Sequence, residues 1–270
     1  MKYAFFGTPE FASIILERLI KANFIPEAII CNPDRPIGRK KTIMAPPAKS
    51  VALKHNIKVY QPEKLEVDAF SEINGIDLFI VAAYGKIIPQ GILNIPKLST
   101  IGVHPSLLPK YRGASPIQSV ILNGEEITGT TLFLIDEKMD HGPVIAQKNL
   151  EDCNLQTINY EKLMEKLAEL SADLLIEILP EFIEGNINPL PQNENDATFT
   201  KKFVTEDAFV DLQKENPVEI ERKVRAFNPE PGAWTIKEGK RMKILEAQID
   251  SEGNLILKKI QLEGKKTVSI

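Results

Sequence analysis

Cysteine is nearly missing from this chain. Cys31 and Cys153 are the only two in 270 residues, too few for a disulfide framework and without the spacing of metal ligands, so no metal is expected and a reducing cytoplasm is the expected setting. Histidine is also scarce, so imidazole chemistry has only His55, His104 and His141 to draw on. Long apolar runs are absent: residues 78–83 form one of the longest, far short of the roughly 20 that cross a bilayer. The N-terminus enters a strand-like segment directly, so neither a membrane span nor a signal peptide is expected. Neither sign of charge dominates, since 33 basic and 37 acidic residues leave a net charge of −4. That excludes a uniformly basic nucleic-acid binder and leaves local patches to decide RNA contact.

What is present is ordinary globular composition, 43% hydrophobic and 26% charged, in a length that allows one large domain or a larger and a smaller one. Residues 2–6 read as a buried strand, Gly7-Thr8-Pro9 as a tight turn, and residues 11–22 as a helix through Phe11, Ile14, Ile15 and Leu19. Further strands are expected at 25–31, 57–60 and 76–83, with a helix at 47–55. Apolar strands alternating with helices indicate a Rossmann-like, mostly parallel sheet covered by helices. Strands at 100–103, 130–135 and 143–148, a helix at 116–122 and a long amphipathic helix at 159–179 complete a first domain, residues 1–185. A polar stretch, 186–200, reads as a linker, and 201–270 as a small β domain with strands near 234–236, 242–249 and 255–260.

The first glycine turn lacks the G-x-G-x-x-G spacing that admits a pyrophosphate, so a nicotinamide cofactor is disfavoured. His55 falls at a helix end, where a capping role is the simpler reading, and His141 falls in a turn. His104 follows a short strand and opens a proline-rich segment through Gly113. A histidine so placed is more often a packed polar group, and Asp140, in Met139-Asp140-His141-Gly142-Pro143, is equally an ordinary turn residue. Brought together, the two would follow the carboxylate–histidine logic of acid/base catalysis. Residues 33–54 carry six basic side chains, among them Arg35, Arg39, Lys40 and Lys41, against one acid, Asp34.

Several ordered segments together resemble the methionyl-tRNA formyltransferase family: residues 7–12, 32–39, 82–89, 104–118 and 139–143, then 225–234 beyond the linker. The resemblance spans nearly the whole chain. It implies an enzyme that moves a formyl group from N10 of 10-formyltetrahydrofolate to the α-amine of methionyl initiator tRNA for translation initiation. On it, His104 matches the catalytic histidine that stabilises the tetrahedral intermediate, and Asp140 the aspartate that holds it. Tyr84, Gly85 and Ile87, with Ser106, Leu107, Leu108 and Pro109, match the folate pocket. Gly7, Thr8, Pro9, Arg35, Arg39, Lys40, Lys41 and Arg112 match the side facing substrate and tRNA. The last domain is expected to be a small, shortened OB-like barrel whose eight basic residues from Lys237 onward outnumber five acids. A monomer is expected.

One departure stands out: the family has an asparagine two residues before the histidine, donating to the formyl oxygen, and here Gly102 takes its place. Losing one such donor costs on the order of a hundredfold in rate. A water, a backbone N–H or a side chain such as Asn123 has to stand in, or the enzyme is slow. The runner-up readings are a folate-dependent amino-sugar-nucleotide N-formyltransferase and a folate- or tRNA-binding homologue with weak or no catalysis. The basic stretch argues for the tRNA acceptor, since a sugar enzyme has no need of it.

Overall fold

Strands that are apolar on both faces have to be covered on both, and here they pair in parallel beneath helices. The computed structural model describes residues 1–37, 42–67, 73 and 75–270. Arg39, Lys40 and Lys41, expected to contact tRNA, lie outside the described residues. In chain order the elements are β1 (Tyr3–Gly7), α1 (Glu10–Lys21), β2 (Ala28–Ile30), β3 (Arg35–Ile37), β4 (Thr42–Met44), α2 (Pro47–Lys54), β5 (Lys58–Tyr60), β6 (Leu78–Ala82) and α3 (Gln90–Leu93). There follow β7 (Ser99–His104), β8 (Arg112–Gly113), α4 (Pro116–Asn123), β9 (Gly129–Leu134), β10 (Val144–Asn149), α5 (Tyr160–Ile183) and β11 (Phe199–Thr200). The chain ends with α6 (Pro217–Phe227), β12 (Trp234–Lys237), β13 (Lys240–Ile249), β14 (Leu255–Leu262) and β15 (Val268–Ser269). Among the described residues no helix is long and apolar enough to cross a membrane.

Two compact units divide the chain: Met1–Arg112 with Gly129–Leu150 and Glu165–Thr198, and Gly113–Thr128 with Glu151–Met164 and Phe199–Ile270. The first holds a seven-stranded sheet in the order β10-β9-β7-β6-β1-β2-β5. The five strands β7, β6, β1, β2 and β5 are parallel, and β9 and β10 extend the edge antiparallel. Strand order reverses between β1 and β6, because the chain builds outward from β1 to β2 and β5 and only then returns to lay down β6 and β7. In such sheets the C-terminal strand ends at the reversal form the ligand crevice. Phe6 anchors this centre with edge-to-face contacts to Phe79 and Tyr84. Helix α1 buries Phe11, Ile15, Leu16 and Leu19, and its Glu10 at the start and Lys21 at the end suit the helix dipole.

In the second unit, β12 to β15 form an antiparallel four-stranded sheet in sequence order. Val210, Ile220, Val224, Ala233, Met242 and Ile244 make its core. Helix α6 packs on both the sheet and α4. Trp234 is only half-buried: its indole N–H donates to the Thr205 carbonyl at 2.8 Å and the Arg241 guanidinium lies 4.3 Å from its ring.

Candidate active site

At the reversal, Thr8 after β1, Asn32 after β2 and Tyr84 after β6 converge. The Asn32 amide donates to Thr8 Oγ1 at 3.1 Å and to the Tyr84 carbonyl at 2.8 Å. Asn32 Oδ1 and the Tyr84 hydroxyl are buried with no hydrogen-bond partner among the described residues, and burial pushes the Tyr84 phenol up to about 12. Gly7 is glycine for packing: a Cβ there would lie 2.6 Å from Ala12 Cβ and 2.7 Å from Phe5 Cε1. Pro9 is exposed at the cap of α1. After β6 the chain turns through positive φ at Ala83 and Gly85. Among the described residues nothing lies within 4 Å of a Cβ built at Gly85, and Ile87 is 93% exposed.

Arg35 is exposed on the β3–β4 hairpin. The base of that hairpin is closed by Lys49, whose ammonium reaches both Asp34 oxygens at 2.8 Å and Gln61 Oε1 at 2.7 Å. Lys49, with Gln61, holds the Asp34 carboxyl below the usual carboxylate range. Lys49 therefore acts inside the protein although it belongs to the basic run.

His104 is the last residue of β7 and 5% exposed. Its Nε2 lies 2.8 Å from the Tyr111 carbonyl. A carbonyl only accepts, so Nε2 carries the proton and the exchangeable position is Nδ1. Nδ1 faces Asp140 Oδ2 at 3.7 Å, so the two residues that sequence reasoning joined are brought together in the fold. The loop that follows His104 is tied down by side chains. Ser106 donates to the Lys110 carbonyl at 2.7 Å. Thr131 Oγ1 donates to the Ser106 carbonyl at 2.6 Å and accepts from the Leu108 N–H at 3.0 Å. Gln147 donates to the Leu108 carbonyl at 2.7 Å. Leu108–Pro109 is a cis peptide, Leu108 is buried, and Leu107 and Pro109 are half-buried.

Arg112 departs from the expected tRNA contact. It is 2% exposed and its guanidinium forks onto Glu194 at 2.6 and 3.0 Å and onto Gln192 Oε1 at 2.8 and 3.1 Å. The hydrogen bonds from Arg112, with its charge, hold the Glu194 carboxyl below its ordinary value. Gln192 in turn donates to the carbonyls of Asp140 and Gly142 at 3.0 and 2.8 Å. His141, in its turn, is paired on both ring nitrogens: Nδ1 lies 2.6 Å from Asp136 and Nε2 3.5 Å from Glu194. Gln192 and Glu194 fall in the polar stretch read as a linker, and nothing in its composition marks them. His55 caps α2 and meets Glu17 at 3.2 Å.

Gly102 lies in the middle of β7, opposite Phe133 of β9. A Cβ at Gly102 would come 2.4 Å from Phe133 Cε1 and 2.5 Å from Cζ, so the phenyl ring fills the space that a side chain would need.

The chain thus pairs a doubly wound sheet, carrying a buried histidine beside a half-buried carboxylate at a strand end, with a small β unit. The formyl transferase family model matches residues 1–179, and the formyl transferase C-terminal domain matches residues 202–254. A methionyl-tRNA formyltransferase of Enterococcus faecalis is 41% identical over 247 residues, 90% of this chain and 78% of the relative. One of Dictyoglomus turgidum is 42% identical over 260 residues, 93% of this chain and 80% of the relative. The solved methionyl-tRNA formyltransferase of Clostridium thermocellum superposes with a TM-score of 0.66 at 16% identity, over 97% of this chain and 98% of that one. The chain belongs to the methionyl-tRNA formyltransferase family, a family of one-carbon group transferases.

Proposed function

We propose that this chain transfers a formyl group from 10-formyltetrahydrofolate to the α-amine of methionyl initiator tRNA, with His104 as the catalytic residue and Asp140 as its partner. The observation that carries the site assignment is the fixed tautomer of His104: Nε2–H is committed to the Tyr111 carbonyl and Nδ1 faces a carboxylate.

The residues present suit a folate. The segment after β6 turns through positive φ, leaves open space at Gly85 and presents an exposed Ile87, a strip on which a flat heteroaromatic ring can stack while main-chain groups bond its edge. Residues 106–109 form the other side of this reading. When bound, the folate supplies an activated formyl carbon that is open to the amine nitrogen. His104 then holds or takes a proton at Nδ1, and Asp140 balances the imidazolium charge. Nε2–H is held by the Tyr111 carbonyl and Nδ1 lies 3.7 Å from Asp140, beyond hydrogen-bond distance, so an N–H at Nδ1 is the donor left for negative charge growing on the carbonyl oxygen. A donor fixed before the reaction stabilises that charge without reorganising. Burial of His104 keeps bulk water from competing for that donor.

Arg35, Arg39, Lys40 and Lys41 are assigned to tRNA phosphates, each releasing counterions on binding. The basic residues of the small β unit add sequence-independent contacts. The test is formyl transfer to methionyl initiator tRNA by the wild type beside His104→Ala. Transfer lost in the variant with folate affinity retained is the expected result, and near-normal turnover removes the assignment. Replacing Arg39, Lys40 and Lys41 with Ala is expected to weaken tRNA use and flatten its salt dependence, and an unchanged salt slope removes these three residues from the interface.

A further inference from the structure

Both groups that touch the His104 ring sit on backbone that ordinary residues avoid. Tyr111, whose carbonyl holds Nε2, has φ of 62°, and Asp140, opposite Nδ1, has φ of 50°. Such conformations persist only where the surroundings impose them. One buried arginine connects to both. Arg112 follows Tyr111 directly, and its N–H donates to the Thr198 carbonyl at 2.9 Å while the Tyr111 N–H donates to Thr198 Oγ1 at 2.8 Å. Its side chain grips Gln192 and Glu194, and Gln192 grips the carbonyls of Asp140 and Gly142.

The orientation of Gln192 is forced. Arginine only donates and a carbonyl only accepts, so the amide oxygen has to face Arg112 and the amide nitrogen the turn. Gly142 closes the turn tightly: a Cβ there would fall 1.8 Å from the Leu134 carbonyl oxygen. The segment carrying Gln192 is itself fixed by the reciprocal main-chain bonds of Leu190 and Val144, both 2.8 Å. Arg112 thus ties one strained residue to the other through a single amide, and the imidazole lies between them.

We propose that Arg112 and Gln192 are positioning residues for formyl transfer, a strut that sets Asp140 and the Tyr111 carbonyl against the two nitrogens of His104. This rests on the reading of His104 and Asp140 as the catalytic pair. Neither strut residue needs to touch substrate. Their contribution is to geometry, where a displacement of about 1 Å costs on the order of a hundredfold in rate.

The test uses Gln192→Glu, which keeps the acceptor toward Arg112 and loses both donors to the turn. Its kcat is expected to fall roughly ten- to a hundredfold, with KM for folate and for tRNA unchanged and the near-ultraviolet circular dichroism of the folded protein retained. Arg112→Lys, which keeps the charge but not the fork, is expected to lose kcat in the same way, and it carries the test should Gln192→Glu fail to fold. The decisive comparison repeats Gln192→Glu in an Asp140→Asn background, where little further loss is expected because both changes act on the same contact. An equal fold-loss in both backgrounds, or a kcat within about twofold of wild type in a folded Gln192→Glu or Arg112→Lys protein, overturns the proposal. Wild-type turnover in Asp140→Asn alone overturns the underlying catalytic reading instead, and the strut falls with it.

Discussion

The loop after β7 and the hairpin after β2 both leave the C-terminal ends of parallel strands in one sheet, yet they are built on opposite lines. Around His104 several polar side chains are turned inward and bonded to main-chain groups: Ser106 to Lys110, Thr131 to Ser106, and Gln192 to Asp140 and Gly142. Among its described residues the β3–β4 hairpin is fastened at its base, by Lys49 on Asp34 and Gln61, and it leaves Ile43 70% and Met44 52% exposed. Side chain to main chain bonds fix a donor to fractions of an ångström, which acid/base chemistry demands. Exposed charges need no such registry, because phosphate neutralisation tolerates movement. On the proposed function, the contrast assigns the chemistry of this chain to buried geometry and its hold on RNA to surface charge.

The sharpest way to break that contrast is to remove the buried donor. His104→Ala is expected to lower kcat/KM by about a hundred- to a thousandfold, the loss typical of a missing oxyanion donor, with folate affinity measured by fluorescence titration unchanged. Asp140→Asn keeps the shape and loses the charge opposite Nδ1, and about a hundredfold loss in kcat is expected. Steady-state kinetics with both substrates checks each, and a KM effect in place of a kcat effect would move these residues from chemistry to binding.

A second test concerns Gly102. With Phe133 against it, Gly102→Ala is expected to destabilise the fold by about 1–3 kcal/mol through overpacking, read as a lower urea midpoint. Adding Phe133→Leu to Gly102→Ala makes room and is expected to recover part of the loss. Lack of recovery would show that strand β7 objects to the substitution for a reason other than the phenyl ring.

Much of the buried side of this comparison was legible in the sequence, and the reason is that its signals are local. The apolar runs of β1, β6 and β7 and the turns that follow them are readable within ten residues, and the family resemblance of the motifs around His104 and Asp140, rather than their spacing, joined the two. The strut was not legible, because Gln192 and Glu194 bond residues 50 to 82 positions away and stand in a stretch with the composition of a linker. Arg112 misled for the same reason: an arginine in a turn-rich motif suits a phosphate, and only the fold shows it 2% exposed. Helix α6 escapes the pattern reading because its apolar stripe, Ile220, Val224 and Phe227, is set in a run of charges. Asn216, which caps it through the Val218 N–H at 2.9 Å, was the available signal.

The smallest expected effects fall on the hairpin, and they separate two basic residues that composition treats alike. Arg35→Ala is expected to weaken tRNA binding a few-fold and to lower the salt slope by about one, because its charge faces solvent. Lys49→Ala is expected to leave the slope unchanged, since that ammonium is already paired with Asp34, and to act by loosening the hairpin base. Equal slopes for the two variants would put Lys49 on the RNA after all. The pH dependence of this lock follows from the lowered pKa of Asp34, caused first by Lys49 and then by Gln61. A carboxyl whose folded pKa is depressed contributes its stability above the ordinary aspartate value and loses it as pH falls through the depressed one. Wild type and Lys49→Ala are therefore expected to differ in tRNA affinity across neutral pH and to converge only in acid, below the ordinary aspartate range. A gap that closes instead between pH 6 and 8, about where histidine titrates, would assign the lock to a group other than Asp34.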